Sequence, residues 1–128
     1  MSIQVEIIKL AQINTDKIDY NRVIFKVILP HRIELDNSRM YFILFKTLAD
    51  GGARKIIVDL HDLDYIDSAG IGTIVSAAKM IRKQGGDLVM SSATANILSI
   101  FKVVSLQDFI RIFSTDGEAI NHFHALNS

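Results

Sequence analysis

Cysteine is absent from this chain, which removes disulfides, thiolate chemistry and cysteine-based zinc sites together. Net charge is absent too, fourteen basic side chains balancing fourteen acidic ones. The chain as a whole therefore offers nucleic acid no electrostatic footprint and an anionic membrane no attraction. No apolar run approaches the ~20 residues a membrane helix needs, so no membrane insertion is expected. The opening MSIQVEIIKL alternates and is interrupted by charge, a strand pattern and not that of a signal peptide. Linkers rich in Pro, Gly or Ser are missing, as are internal repeats. What remains is 49% hydrophobic and 22% charged over 128 residues, a globular composition long enough to bury a core. One cytoplasmic domain over residues 1–128 is the expectation.

The pattern along the chain predicts a fold class. SIQVEIIKLAQ and NRVIFKVIL read as strands, the second stopped by Pro30. NSRMYFILFKTLADGG reads as a helix closed by Gly51 and Gly52. RKIIVDL is a short apolar run between charges, the mark of a strand buried on both faces. A helix follows Ser68, and DLVMSS, TANILSIFKVV and DFIRIF read as strand, helix and strand. Thr115 and Glu118 form a capping box for a final helix. Alternation of strand and helix favours parallel pairing, while the first two strands, with no helix between them, favour an antiparallel pair. The expected fold is α/β: a mixed sheet of about five strands with about four helices.

The stretch DLHDLDYIDSAGIG stands out. Asp59, Asp62, Asp64 and Asp67 fall within nine positions, and Ser68 follows at the start of an apolar helix. Ser68 reads as the helix N-cap, a role worth about 0.5–2 kcal/mol relative to alanine. The same hydroxyl, beside the small residues Ala69, Gly70 and Gly72, is exposed enough to be modified. Phosphorylation adds about 1.5–2 negative charges, which a helix N-terminus tolerates. A partner that buried the unmodified serine would instead face an unpaired dianion. On the helix itself, Ile71, Ile74, Val75, Ala78 and Ile81 are the expected inward stripe. Thr73, Ala77, Met80 and Gln84 fall opposite, without charge. The expected contact surface is therefore Asp64, Asp67, Ser68, Ala69, Gly70, Gly72, Thr73, Ala77 and Met80. On the preceding helix Met40, Ile43, Leu44, Thr47 and Leu48 form the expected core stripe. That leaves Tyr41, Phe42 and Phe45 on the flank, to pack under a terminal element or to join an interface, so monomer and homodimer both stay open.

Enzyme chemistries find no support. Gly70 and Gly72 make a Gly-x-Gly, but Val75 stands where the third glycine of a dinucleotide loop belongs, and the lysine of a phosphate loop is missing. The aspartates lack the spacing of a calcium loop. His31, His61, His122 and His124 do not form a metal set, and His61 with Ser68 lacks a third member and an oxyanion device. No catalytic residue, metal or cofactor is expected.

KIIVDLHDLDYIDSAGIGTIVSAAKMIRKQGGDLVM resembles the signature of the STAS domain family, the bacterial anti-sigma-factor antagonists. The resemblance runs roughly from Arg22 to Phe123 and centres on Asp-Ser-Ala-Gly-Ile-Gly. It implies a mixed sheet covered by helices, a phosphorylated serine at Ser68, and Asp67, Gly70 and Gly72 as the flanking motif. It also implies the partners: an anti-sigma factor that doubles as a serine kinase of the histidine-kinase-like ATPase type, and a phosphatase that resets the serine. The domain would be the kinase's substrate and bind no ATP. Family members commonly carry Gly-x-Leu/Ile-Asp after the second strand, where this chain has LPHRIEL, a departure that implies a divergent partner. Other stand-alone members serve as subunits of lipid-transporting ABC complexes or of stress-sensing assemblies, the alternative in which Ser68 is a structural cap.

Overall fold

The computed structural model describes residues 3–10 and 22–126. The ends of the first expected strand, and Asn21 at the start of the second, lie outside the described residues. β1 (Gln4–Lys9) and β2 (Val23–Ile28) pair antiparallel, with Ile7 opposite Phe25 and Glu6 opposite Lys26. β3 (Arg32–Ile33) and α1 (Leu35–Asp50) follow, then β4 (Lys55–Asp59), β5 (Tyr65–Ile66) and α2 (Ser68–Lys83). β6 (Asp87–Ser91), α3 (Ala95–Val103), a 3-10 turn at Leu106–Asp108, β7 (Ile112–Phe113) and α4 (Asp116–Leu126) complete the order. The main sheet runs β1-β2-β4-β6-β7, parallel except for the first pair, and β3 and β5 form a separate two-stranded parallel ladder. The mixed α/β architecture is as the sequence predicts.

Period-two alternation sends successive side chains of β4 to opposite sides. Ile56 and Val58 join the core beneath α1, α2 and α3, while Ile57 packs with Ile24, Val89, Ala119 and Phe123 beneath α4. α1 ends on glycine as expected, capped by Gly51 with Gly52 at φ +113°, and Gly85, just past the Gln84 cap of α2, adopts φ +87°, open to glycine at little cost.

Three expectations need correction. In α1 the fully buried residues are Tyr41, Phe45 and Ala49, with Asn37 and Ser38 above them; of the expected stripe, Met40, Leu44 and Leu48 are partly buried against the core, while Ile43 is half exposed and Thr47 is exposed. Both candidate stripes are apolar and offset by about one residue, and the aromatic one covers more sheet per turn. In α2, Thr73 and Ala77 do not face outward. They pack against α1, and the Thr73 hydroxyl donates to the Ser38 carbonyl at 3.3 Å. Two helices lie side by side on one sheet face, so α2 has two covered sides. Finally, DFIRIF yields only the two-residue β7, because Ile110 turns into the core behind the 3-10 turn.

Candidate functional site

The site is built where α1 and α2 begin. The β3–β5 ladder places Arg32 beside Tyr65 and Ile33 beside Ile66, and the Asp67 N–H donates to the Ile33 carbonyl at 3.1 Å. Gly70 lies against that ladder so closely that a Cβ would sit 2.6 Å from both Ile33 and Ile66. Asp67, in extended backbone, is the residue that caps α2: its Oδ1 accepts from the Gly70 N–H at 3.0 Å. Its Oδ2 accepts from the Leu35 N–H, also at 3.0 Å, at the start of α1. Ser68 is therefore not the cap, contrary to the spacing argument. It is the first helical residue, and a cap must precede it in extended geometry. Its side chain is exposed and its hydroxyl makes no hydrogen bond among the described residues.

The rim around Ser68 is partly as anticipated. Asp64, Ser68 and Gly72 are exposed, and Asp67, Ala69 and Met80 are half-buried. A Cβ at Gly72 would meet nothing within 4 Å, so no packing demand explains a glycine there. Gly70, Thr73 and Ala77 are buried in the fold and out of reach of any docking surface, because α1 and the β3–β5 ladder cover them.

Sequence reasoning missed three rim residues. Leu35 is 78% exposed and Tyr65 40%, and the Arg32 guanidinium stacks 4.3 Å above the Tyr65 ring centroid. Arg32 and Leu35 belong to LPHRIEL, which lies directly against the acidic loop that carries Tyr65. The His31 carbonyl accepts from the Asp64 and Tyr65 N–H groups at 2.8 and 3.2 Å, and His31 Nδ1 lies 3.3 Å from the Asp64 carboxylate.

Asp59 and Asp62 are not free charges. Asp59, buried at the end of β4, is 2.8 Å from His61 Nδ1 and accepts the His61 N–H at 3.0 Å; His61 Nε2 is 3.2 Å from Asp62. The bond to Asp59 holds the His61 pKa above its ordinary value, against the effect of partial burial. Behind this loop Lys26 Nζ lies 2.8 Å from Asp116, 3.0 Å from Glu6 and 3.7 Å from Asp59, and the Ser91 hydroxyl donates to Asp116 at 2.5 Å. Burial would raise the Asp116 pKa, but the bonds from Lys26 and Ser91 outweigh it and hold that carboxyl below its usual range. Lys26 is likewise held above the ordinary lysine range, its ion pairs outweighing burial. This partly buried network fastens α4 to the sheet. Among the described residues no group of three or more histidine or carboxylate side chains is arranged to hold a metal, and no helix is long and apolar enough to cross a membrane.

Comparison with known proteins adds to the geometry. The STAS domain family model matches residues 12–119. An anti-sigma-B factor antagonist of Bacillus subtilis is 37% identical over 65 residues, 51% of this chain and 59% of that relative. The match thus spans little more than half the length of that curated relative. An anti-sigma-factor antagonist (STAS) domain protein from Planctomyces limnophilus superposes with a TM-score of 0.72 at 17% identity, over 94% of this chain and 96% of the other. The Bacillus cell fate determinant SpoIIAA in its phosphorylated form superposes with a TM-score of 0.65 at 16% identity, over 94% and 98%. At these identities the two structural likenesses speak for the fold.

Proposed function

The chain belongs to the STAS domain family, and on that premise we propose that it is an anti-sigma-factor antagonist whose docking surface is switched by phosphorylation of Ser68. The relatives named as anti-sigma-B factor antagonists support the first half of that reading. One observation carries the second half: with Asp67 capping α2, the exposed Ser68 hydroxyl has no structural duty and is free to be modified.

The physics of the switch is local. A phosphate at the first helical position meets the positive end of the α2 dipole, which favours an anion by about 0.3–1 kcal/mol at an exposed site. The fold is therefore kept. A partner that closes over Ser68 would have to desolvate a dianion beside Asp64 and Asp67, costing several kcal/mol. About 4 kcal/mol is a thousandfold in affinity. The partner this reading requires is an anti-sigma factor that is also a serine kinase, with a phosphatase to reverse its action. The rival in which Ser68 is a structural cap, as in a transporter subunit, loses its physical support, since Asp67 holds that place.

The test is intact-mass measurement after incubation with ATP and candidate anti-sigma kinases. One added phosphate on the wild type and none on Ser68→Ala is expected. Phosphate on both, or on neither with any candidate kinase, would overturn the switch.

A further inference from the structure

We propose that the end of α3 and the middle of α2 form a second docking surface, separate from the Ser68 rim, for an acidic amphipathic helix of a partner protein. Val103 is 85% exposed and Val104 51%, beside Phe109. Large apolar side chains gathered on a surface and rimmed by charge mark an interaction site. The surface is shallow: Val75, Lys79, Val104, Ser105, Leu106 and Phe109 line an open depression of about 300 Å³. A shallow apolar surface of this size takes the apolar face of one helix.

The turn that displays the valines is held in a disfavoured form. Ser105 has φ of 56° and ψ of 35°, left-handed backbone that a residue with a Cβ adopts reluctantly and that gathers at functional places. Two bonds fix it: the Ser105 N–H donates to the Lys102 carbonyl at 3.2 Å, and the Asp108 N–H to the Ser105 carbonyl at 3.1 Å.

Charge specifies the occupant. Lys79 lines the depression, and the Arg82 guanidinium lies 4.6 Å from the Phe109 ring centroid, steadied by Asp87 at 2.9 Å. Lys102 precedes Val103, and Lys83 ends α2. Lys79, Lys83 and Lys102 are exposed and form no ion pair among the described residues; Asp108 is the opposing carboxylate. The neutral whole conceals this local positive excess. Glutamates flanking an apolar helix face complement it, and lysines there would be repelled.

The depression begins at Val75, seven residues beyond Ser68 and about 10 Å along the helix, and its charge lies farther still. Lys79 is eleven residues beyond Ser68 on the same helix, about 16 Å along its axis. That is about twice the screening length at physiological salt.

The experiment titrates the isotope-labelled full chain with a synthetic helical peptide bearing leucines at i, i+4 and i+7 flanked by glutamates. The same peptide with lysines, and phosphatidylglycerol vesicles, are run alongside. The glutamate peptide is expected to shift the amide signals of Val103, Val104, Ser105 and Phe109, and the lysine peptide is not. Lys79→Glu with Lys102→Glu, both at exposed positions, should weaken binding about tenfold or more, Val103→Ser with Val104→Ser should abolish it, and Ser68→Asp should leave it unchanged. Equal binding of both peptides, shifts absent or confined elsewhere, or vesicle binding lost in the same variants would overturn the proposal, the last by making this a lipid-facing surface.

Discussion

The carboxylate of Asp67 joins the backbone of Leu35 at 3.0 Å while also holding the Gly70 N–H at 3.0 Å. One side chain thus satisfies an orphan donor on each of two helices, reaching back thirty-two residues along the chain to Leu35. It also fixes the place where both begin, and that place carries Ser68. The arrangement separates duties: Asp67 maintains the fold, and the residue after it is left to the surface.

Asp67→Ala should therefore cost about 2 kcal/mol, two caps at about 1 kcal/mol each. Ser68→Ala should stay within about 0.5 kcal/mol of wild type, as surface substitutions do. Urea denaturation of the two variants checks the contrast; equal losses would return the cap to Ser68.

The two glycines of the motif should respond with opposite signs. Gly70→Ala drives a methyl to 2.6 Å from Ile33 and Ile66, an overpacking that costs about 1–3 kcal/mol. Gly72→Ala meets open space and removes a helix-interior glycine, a gain of about 0.5–1 kcal/mol. Gly72→Phe should fold yet weaken docking at Ser68, measurable by titration calorimetry against the anti-sigma factor.

Stability should fall on the alkaline side through His61. Its pKa is raised above the ordinary value of about 6.5 by the bond to Asp59. Its contribution is then complete below about pH 6.5 and lost as pH rises through the raised value. The side chain is 52% exposed, so solvent screening keeps the effect small. Asp116 acts in the opposite direction: its pKa is lowered, and its contribution goes as pH falls through that value. Urea midpoints should decline for wild type as pH rises above about 6.5 and run flatter for His61→Gln.

Tyr41→Phe should be neutral or stabilising by about 1 kcal/mol, because the Tyr41 hydroxyl is buried with no hydrogen-bond partner among the described residues. Thermal unfolding tests it, and a clear loss of stability would show that the hydroxyl has a partner after all.

Much of this was legible beforehand. The short apolar run of RKIIVDL, the strand DLVMSS, the glycines closing α1 and the apolar spacing of the helix after the acidic loop follow local rules of composition and period, and those rules held. The errors arose where two readings satisfied the same local rule. Ser68 and Asp67 are both good caps by type, and only backbone geometry assigns the role to Asp67. Met40–Leu44 and Tyr41–Phe45 are both apolar lines on α1, and the choice depends on what lies beneath. Thr73 and Ala77 seemed bare because a single-helix pattern cannot register a neighbouring helix. The Lys26–Asp116 pair spans ninety residues, and no local pattern joins them. The β3–β5 ladder has two residues per strand, too short for any period to register.

The most direct measurement is calorimetric titration of the anti-sigma factor with the chain before and after stoichiometric phosphorylation of Ser68, with circular dichroism on both forms. The account predicts unchanged folding and an affinity about a thousandfold lower for the phosphorylated chain. Equal affinity of the two folded forms would contradict it.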